Sequence, residues 1–253
     1  MIMIPKIIHY CWLSNDPIPQ DLQNYMKTWN EVLPDYEFMK WDFNRFPKDK
    51  SKWVSEAFDN KKYAFAADYI RLYAIYHYGG IYLDMDVEVL KKFDKFLNLK
   101  TMLCWQNQWP GLEVAAFGAE KGSKWIKDCL DFYDHRHFIT ANGEFNMKPI
   151  PGLIEEYLGR CGYCFKNVAS IEDALSEEQN PLVIPVLPYE YFSPKSYKND
   201  RLMKTEKTIC IHQFAGSWLS KAPWYSKIEK KIWNTFGLYN KDLIKRFLTL
   251  WKK

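Results

Sequence analysis

Gly79-Gly80-Ile81-Tyr82-Leu83-Asp84-Met85-Asp86-Val87 is the stretch on which the reading of the chain turns. The glycine pair follows a long apolar run and suits the end of a helix, because glycine accepts the left-handed conformation that closes one. The residues after it read as a strand, Ile81 to Leu90. In an extended backbone neighbouring side chains alternate faces, so Ile81, Leu83, Met85 and Val87 point one way and Tyr82, Asp84 and Asp86 the other. Two carboxylates then share a face. Carboxylates held close raise each other's proton affinity unless a cation or hydrogen bonds compensate, and a divalent metal is a common compensation on an otherwise apolar strand. Hard oxygen ligands of this kind suit Mg or Mn, which keep positions open for diphosphate oxygens. A D-x-D pair by itself is weak, since acids two apart occur on many solvated edges. The apolar flanks and the glycine turn are what raise this one above that background.

Outward from it, helix and strand patterns alternate. Lys6 to Leu13 and Tyr36 to Trp41 read as strands, with a helix over Pro19 to Val32 between them. Ala57 to Tyr78 reads as one helix whose core spacing is Phe65, Tyr69, Leu72, Tyr73 and Tyr76. Thr101 to Trp105, Val114 to Ala119 and Thr208 to His212 are further strands, and Lys124 to Tyr133 and Ile150 to Leu158 further helices. Pro181, Pro185, Pro188 and Pro194 punctuate an irregular, strand-containing stretch. The pattern implies an α/β arrangement. Within the long helix, Asp68 and Arg71 stand three residues apart and share a face. On the surface such a pair would be worth little, but the helix carries almost no other charge, so burial is expected, and burial of ions without a role is costly. A third constellation, His212-Gln213-Phe214-Ala215-Gly216-Ser217-Trp218, follows the last strand. Alone, His212 would more often be a hydrogen-bonded core residue than a ligand.

Composition bounds the function. A chain of 253 residues with no composition break reads as one domain, and 47% hydrophobic with 17% aromatic content can fill a core. A formal charge of +4, scattered over most of the chain, argues against nucleic acid as a partner. Met1 to Trp12 is apolar but short and holds Pro5, Lys6 and His9, so it is not expected to be a signal peptide, and no run of about 20 apolar residues predicts a membrane span. Six cysteines (Cys11, Cys104, Cys129, Cys161, Cys164 and Cys210) without a secretory leader suggest reduced thiols and a cytoplasmic setting. Cys161 and Cys164 form a lone C-x-x-C, read as two semi-buried thiols beside a turn at Gly162 rather than a redox or zinc site.

The four motifs taken together carry a resemblance. Ile4-Pro5-Lys6-Ile7-Ile8-His9-Tyr10-Cys11-Trp12, the Ala67-Asp68-x-x-Arg71 helix, Gly79-Gly80-Ile81-Tyr82-Leu83-Asp84-x-Asp86 and His212-x-x-x-Gly216-Ser217-Trp218 resemble, in order, the DXD-containing sugar transferases of glycosyltransferase family 32 type. These include capsular polysaccharide and initiating-mannosyltransferase enzymes, and the clostridial glucosylating toxins carry a similar core. Met147 to Leu158 also resembles a Gly-Pro-x-x-Leu segment of the family, although Pro151-Gly152 inverts that order. The resemblance implies a GT-A-like, Rossmann-type nucleotide-sugar-binding fold with a mixed central sheet and additional helices. It divides the chain into a nucleotide-binding half (1–90), an acceptor-side half with a late metal-binding loop (91–223), and a C-terminal tail (224–253).

It implies site roles as well. Trp12 stacks on the nucleotide base beside Cys11, Asp68 and Arg71 hold donor sugar hydroxyls, and Tyr82 lines the donor pocket. Asp84 contacts ribose or sugar and the metal's water, Asp86 binds Mn2+ or Mg2+ directly, His212 is a further ligand, and Ser217 and Trp218 touch the diphosphate. Packing in the core is an equally open reading of Trp12 and Trp218. The implied reaction is a metal-dependent, configuration-retaining transfer from a nucleotide sugar, a uridine diphosphate sugar being favoured, to a glycan or lipid-linked saccharide in surface polysaccharide synthesis.

The tail interleaves Lys227, Lys230, Lys231, Lys241, Lys245 and Arg246 with Trp224, Tyr225, Trp233, Phe236 and Trp251. Such a pattern suits peripheral contact with an anionic membrane at the inner face of the cell membrane, and equally a solvated face whose rings pack inward. Two rival functions stay open. Leu83 to Val87 also resembles the first motif of haloacid-dehalogenase-type phosphatases, which needs a late acidic pair where this chain has His212. The other rival is a non-catalytic sugar-binding protein, against which the intact Asp84, Asp86 and Arg71 argue.

Overall fold

The computed structural model describes residues 3–107 and 111–215. Their central sheet is mixed, with its five strands in the order Glu37–Trp41, Ile7–Cys11, Gly80–Leu83, Leu112–Ala119 and Thr101–Trp105. Strand β1 (Ile7–Cys11) leads into helix α1 (Gln20–Val32) and returns parallel in β2 (Glu37–Trp41), a crossover that parallel pairing requires. On its other edge β1 pairs, again parallel, with β3 (Gly80–Leu83), matching Ile8 to Ile81 and His9 to Tyr82. Antiparallel β6 (Leu112–Ala119) and β5 (Thr101–Trp105) complete the sheet. This is the expected α/β class with a mixed sheet and added helices.

Both faces of the sheet are covered, which is why every residue of β3 and β6 is buried. One core joins Tyr82 and Phe117 to α2 (Lys52–Asp59), α3 (Tyr63–Tyr78), α4 (Lys124–Asp134) and α5 (Ile150–Arg160). The opposite core joins Ile81 and Leu83 to Trp29 of α1, Phe93 and Phe96. The alternation of Ile81, Tyr82 and Leu83 between two cores is the period-2 pattern of the strand made physical.

The expected single helix over 57–78 is two. Lys61 takes φ 57°, the Asn60 side chain donates to Glu56 O at 2.8 Å, and Lys62 N donates to Ala57 O at 2.8 Å, closing α2 before α3 begins. Helix α3 is buried on nearly all sides, so the stripe expected from its spacing is too narrow: Ala66, Asp68, Ile70, Arg71, Ala74 and Ile75 are buried, while Tyr73 and Tyr76 are only half-buried. Two elements have no counterpart in the sequence reading: β7 (Cys164–Asn167), which pairs in parallel with β8 (Val183–Val186), and α6 (Ile171–Glu177), started by a capping box of Ser170 and Asp173. Cys161 and Cys164 are both exposed and unbridged, because Gly162 turns the chain at the surface with φ 88°.

The strand expected over 81–90 is also broken. After Leu83 the chain leaves the sheet through a turn at Asp84-Met85-Asp86, closed by Val87 N donating to Asp84 O at 3.0 Å. It resumes as β4 (Val87–Val89), which pairs antiparallel with β9 (Cys210–His212). Glycines hold the entry to this stretch. Gly80 has φ 105°, and a Cβ there would stand 2.6 Å from Ile7 O. His9, fully buried, donates from Nε2 to Gly79 O at 2.7 Å and accepts from Trp41 Nε1 at 3.0 Å, tying β1 and β2 to that corner. Ser217, Trp218 and the basic aromatic tail lie outside the described residues. Among the described residues, no helix is long and apolar enough to cross a membrane.

Candidate functional site

Asp84, Asp86 and His212 converge, each offering one ligand atom within 4.8 Å of the others. The reason is not strand alternation, as the sequence suggested, because the two acids sit in a turn. The turn is pinned from three sides. Asp84 N donates to Ala115 O of β6 at 2.7 Å. Gln213 N donates to Asp86 O at 3.0 Å, and Ala215 N to Asp86 Oδ2 at 2.7 Å. The β4–β9 register sets His212 opposite Val87, which puts the imidazole Nε2 3.6 Å from Asp86 Oδ2.

Behind His212 stands Glu113, a residue that the sequence reading missed. It is fully buried; its Oε2 lies 3.1 Å from His212 Nδ1, and its Oε1 accepts from Ala115 N at 2.8 Å. The one signal for it was a lone acid at the edge of the apolar run from Val114 to Ala119. Burial works against charge on both partners, but each offsets it for the other. Glu113 and Asp86, as long as no cation sits between them, push the His212 pKa well above the usual imidazole range, and His212 draws Glu113 below the usual carboxylate range. Asp86 is likewise lowered against its burial, by His212 and the Ala215 amide.

On the other side of Asp84 lies the second constellation. Arg71, 5% exposed, places Nη2 3.1 Å from Asp68 and 3.5 Å from Asp84, and Nη1 donates to Val114 O at 2.9 Å. Its guanidinium also covers the Tyr82 ring at 4.7 Å, and Tyr82 Oη donates to Asp84 Oδ1 at 3.0 Å. Arg71 Nε is buried and has no partner among the described residues. The expected burial of the Asp68 and Arg71 pair is therefore found. Burial pushes the Asp68 carboxyl up to about 7 although Arg71 pulls it down, and it raises Asp84 against the same guanidinium.

Cys11 ends β1, two register steps beyond the His9–Tyr82 match and so level with Asp84. Burial pushes its thiol up, with Arg71, Asp84, Asp42 and Asp68 the charges it senses. Trp12 follows, half-buried, its Nε1 donating to Asp16 O at 2.9 Å within its own loop. The carboxyl ends of β1 and β3 thus bring together Cys11, Trp12, Asp68, Arg71, Tyr82, Asp84, Asp86 and His212 at one end of the sheet, where ligands of open α/β sheets are taken. Two carboxylates and one imidazole form a donor set that fits a divalent cation, with Asp84 shared between that cluster and the arginine fork.

Comparison with known proteins bears on the same segment. The family described as a glycosyltransferase sugar-binding region containing the DXD motif matches residues 19–103. The inositol phosphoceramide mannosyltransferase 3 of Schizosaccharomyces pombe is 35% identical over 99 residues, 38% of this chain and 28% of that protein. The mannosyl phosphorylinositol ceramide synthase SUR1 of Saccharomyces cerevisiae is 33% identical over 105 residues, covering 40% of this chain and 27% of its own length. The match therefore spans less than a third of either relative. Among solved structures, the PaToxG glycosyltransferase superposes with a TM-score of 0.47 at 18% identity, covering 62% of this chain and 68% of that one. Residues 19–103, from just before α1 into β5 and with Arg71, Asp84 and Asp86 among them, are the part of the chain that is similar to the DXD-containing sugar-binding region of glycosyltransferases.

Proposed function

We propose that this chain is a divalent-metal-dependent glycosyltransferase, moving a sugar from a nucleoside diphosphate donor to a hydroxyl of a glycan or lipid-linked acceptor. The observation that carries the reading is the position of Asp84, held by Arg71 and Tyr82 on one side and grouped with Asp86 and His212 on the other. A sugar diphosphate needs both: a cation for its phosphates and a fork of donors with a carboxylate for its vicinal hydroxyls.

In this reading Asp86 and His212 hold Mn2+ or Mg2+ with Asp84, and the bound ion supplies Lewis-acid stabilisation of the diphosphate leaving group. Asp68 and Arg71 orient the sugar, with the open Arg71 Nε as a further donor. Cys11 and Tyr82 line the pocket, and Trp12 covers the base. Ser217 and Trp218, outside the described residues, are candidates for the diphosphate from the family resemblance alone. In this reading the three acids have other tasks, Asp84 and Asp86 with the cation and Asp68, paired with Arg71, with the sugar hydroxyls. That supports retention by front-face attack, with the donor phosphate taking the acceptor proton. Against a phosphatase of the haloacid-dehalogenase type stands the late strand, which brings His212 and not an acidic pair to the two aspartates.

The names of the fungal relatives favour mannose as the sugar and an inositol-bearing sphingolipid as the acceptor, whereas the family resemblance favours a uridine diphosphate sugar and a surface glycan. A donor panel containing both guanosine diphosphate mannose and uridine diphosphate hexoses, incubated with Mn2+ and followed by nucleotide release, decides between the two donor classes. At least one donor is hydrolysed slowly, and Asp86→Ala abolishes that turnover by removing a direct ligand. Release unchanged by Asp86→Ala, or no donor consumed, refutes the proposal.

A further inference from the structure

Glu113 has no place in the donor chemistry just described, yet it is the most deeply placed charge near the site. Its carboxylate is fully buried, and an ion taken out of water is retained only where partners compensate it. Both of its oxygens have defined partners. Oε1 accepts from Ala115 N, and Oε2 meets His212 Nδ1. Ala115 also accepts the Asp84 amide through its carbonyl, so one residue of β6 fixes the height of Glu113 and of the turn that carries the two aspartates. The imidazole is clamped between Glu113 on one nitrogen and Asp86 on the other, with the Phe214 ring 3.9 Å from its own, which leaves it little freedom to rotate.

We propose that Glu113 is a positioning residue for the metal site: it accepts the hydrogen bond of His212 Nδ1–H, fixes that tautomer, and so presents Nε2 as the lone-pair donor to a divalent cation shared with Asp84 and Asp86. The inference rests on the metal-dependent reading above but is separable from it. A carboxylate is required here for a stereochemical reason. Two N–H groups, from Ala115 and His212, converge on one side chain, and only a carboxylate offers each its own acceptor oxygen. A glutamine has a single carbonyl. If that carbonyl serves Ala115, its NH2 faces Nδ1 and favours the opposite tautomer, with the hydrogen on Nε2 where the cation should sit. Outer partners of this kind typically tune metal affinity by about 10- to 100-fold.

The test is Mn2+ binding to the full chain, read as free Mn2+ by electron paramagnetic resonance, in the wild type, Glu113→Gln and Glu113→Asp. The expected result is a Kd weakened by about 10- to 100-fold for Glu113→Gln and a smaller loss for Glu113→Asp, which keeps the charge and both acceptors. Equal Mn2+ affinity in wild type and Glu113→Gln overturns the proposal while leaving the metal-dependent function standing. A wild type that binds no Mn2+ overturns both. Since Glu113→Gln buries a new amide and could fail to fold, a second measurement needs no variant. In Mg2+-saturated wild type, long-range proton–nitrogen spectra of the His212 ring should show the hydrogen on Nδ1 and none on Nε2, and the reverse arrangement refutes the assignment.

Discussion

Acid should loosen the corner from which the Asp84 turn departs, and His9 sets the size of the effect. The imidazole is fully buried, spans Trp41 Nε1 and Gly79 O, and is held neutral by that burial, its pKa depressed to about 4 from the usual 6.5. Protonation would put a second hydrogen on Nδ1, where Trp41 already donates one, so the native arrangement cannot accept it. Between pH 6.5 and pH 4 the unfolded chain binds this proton and the folded chain does not, so stability from His9 is complete above pH 6.5 and falls with pH through that window. Integrating from neutral pH down to about pH 4.5 gives a loss of about 2.5 kcal/mol. For a chain of this size that is roughly 5–10 °C in Tm. The carboxylates of surface ion pairs also lose stability in acid, so the measurement is the difference in slope. Tm is followed by calorimetry over the same pH range for the wild type and for His9→Gln, which does not titrate. The variant starts lower, having lost part of a buried network, but its curve is flatter by about the amount above. Parallel curves would show that His9 accepts its proton without cost and would refute the argument.

Two further outcomes follow from the same region. Arg71→Met leaves the buried Asp68 carboxylate, and the half-buried Asp84 beside it, without their cation and should cost about 3 kcal/mol in denaturant unfolding; adding Asp68→Asn should recover part of that, and a purely additive double variant would show the pair to be uncoupled. Gly80→Ala forces a Cβ to 2.6 Å from Ile7 O at φ 105°, so β1 and β3 must part locally. It should destabilise by about 2 kcal/mol or more and weaken Mn2+ binding, whereas a wild-type melting curve would show the corner to be slack.

The elements that sequence made legible are those where one periodicity dominates. Strands β1 and β2, helix α1 and the edges of β5 and β6 fall within a residue or two of their patterns, because alternating or helical burial is written in the apolar positions themselves. Asp68 and Arg71 could be placed in the interior because a helix that is apolar on nearly every side has no solvated face on which to carry them. The α2–α3 break was hidden because no glycine or proline marks it; a lysine at positive φ accompanies a closure made by backbone bonds and the Asn60 amide. The convergence of Asp84 and Asp86 was anticipated by the wrong route, since a strand pattern and a turn between two strands share the same residues. Glu113 was invisible for a different reason: its partner is 99 positions away, and only the β4–β9 pairing brings them together.

That short ladder has a consequence for how the site comes into being. Asp86 and the Ala215 amide that grips it are 129 positions apart, so the Asp84, Asp86 and His212 cluster exists only after a long loop of the chain has closed. An ion bound there would act as a clasp on that loop, favouring the assembled form by mass action in proportion to its concentration over its dissociation constant. Metal titration should therefore report on whether β9 is docked, and a preparation in which that strand has come away would lose its affinity for cations while the five-stranded sheet stayed intact.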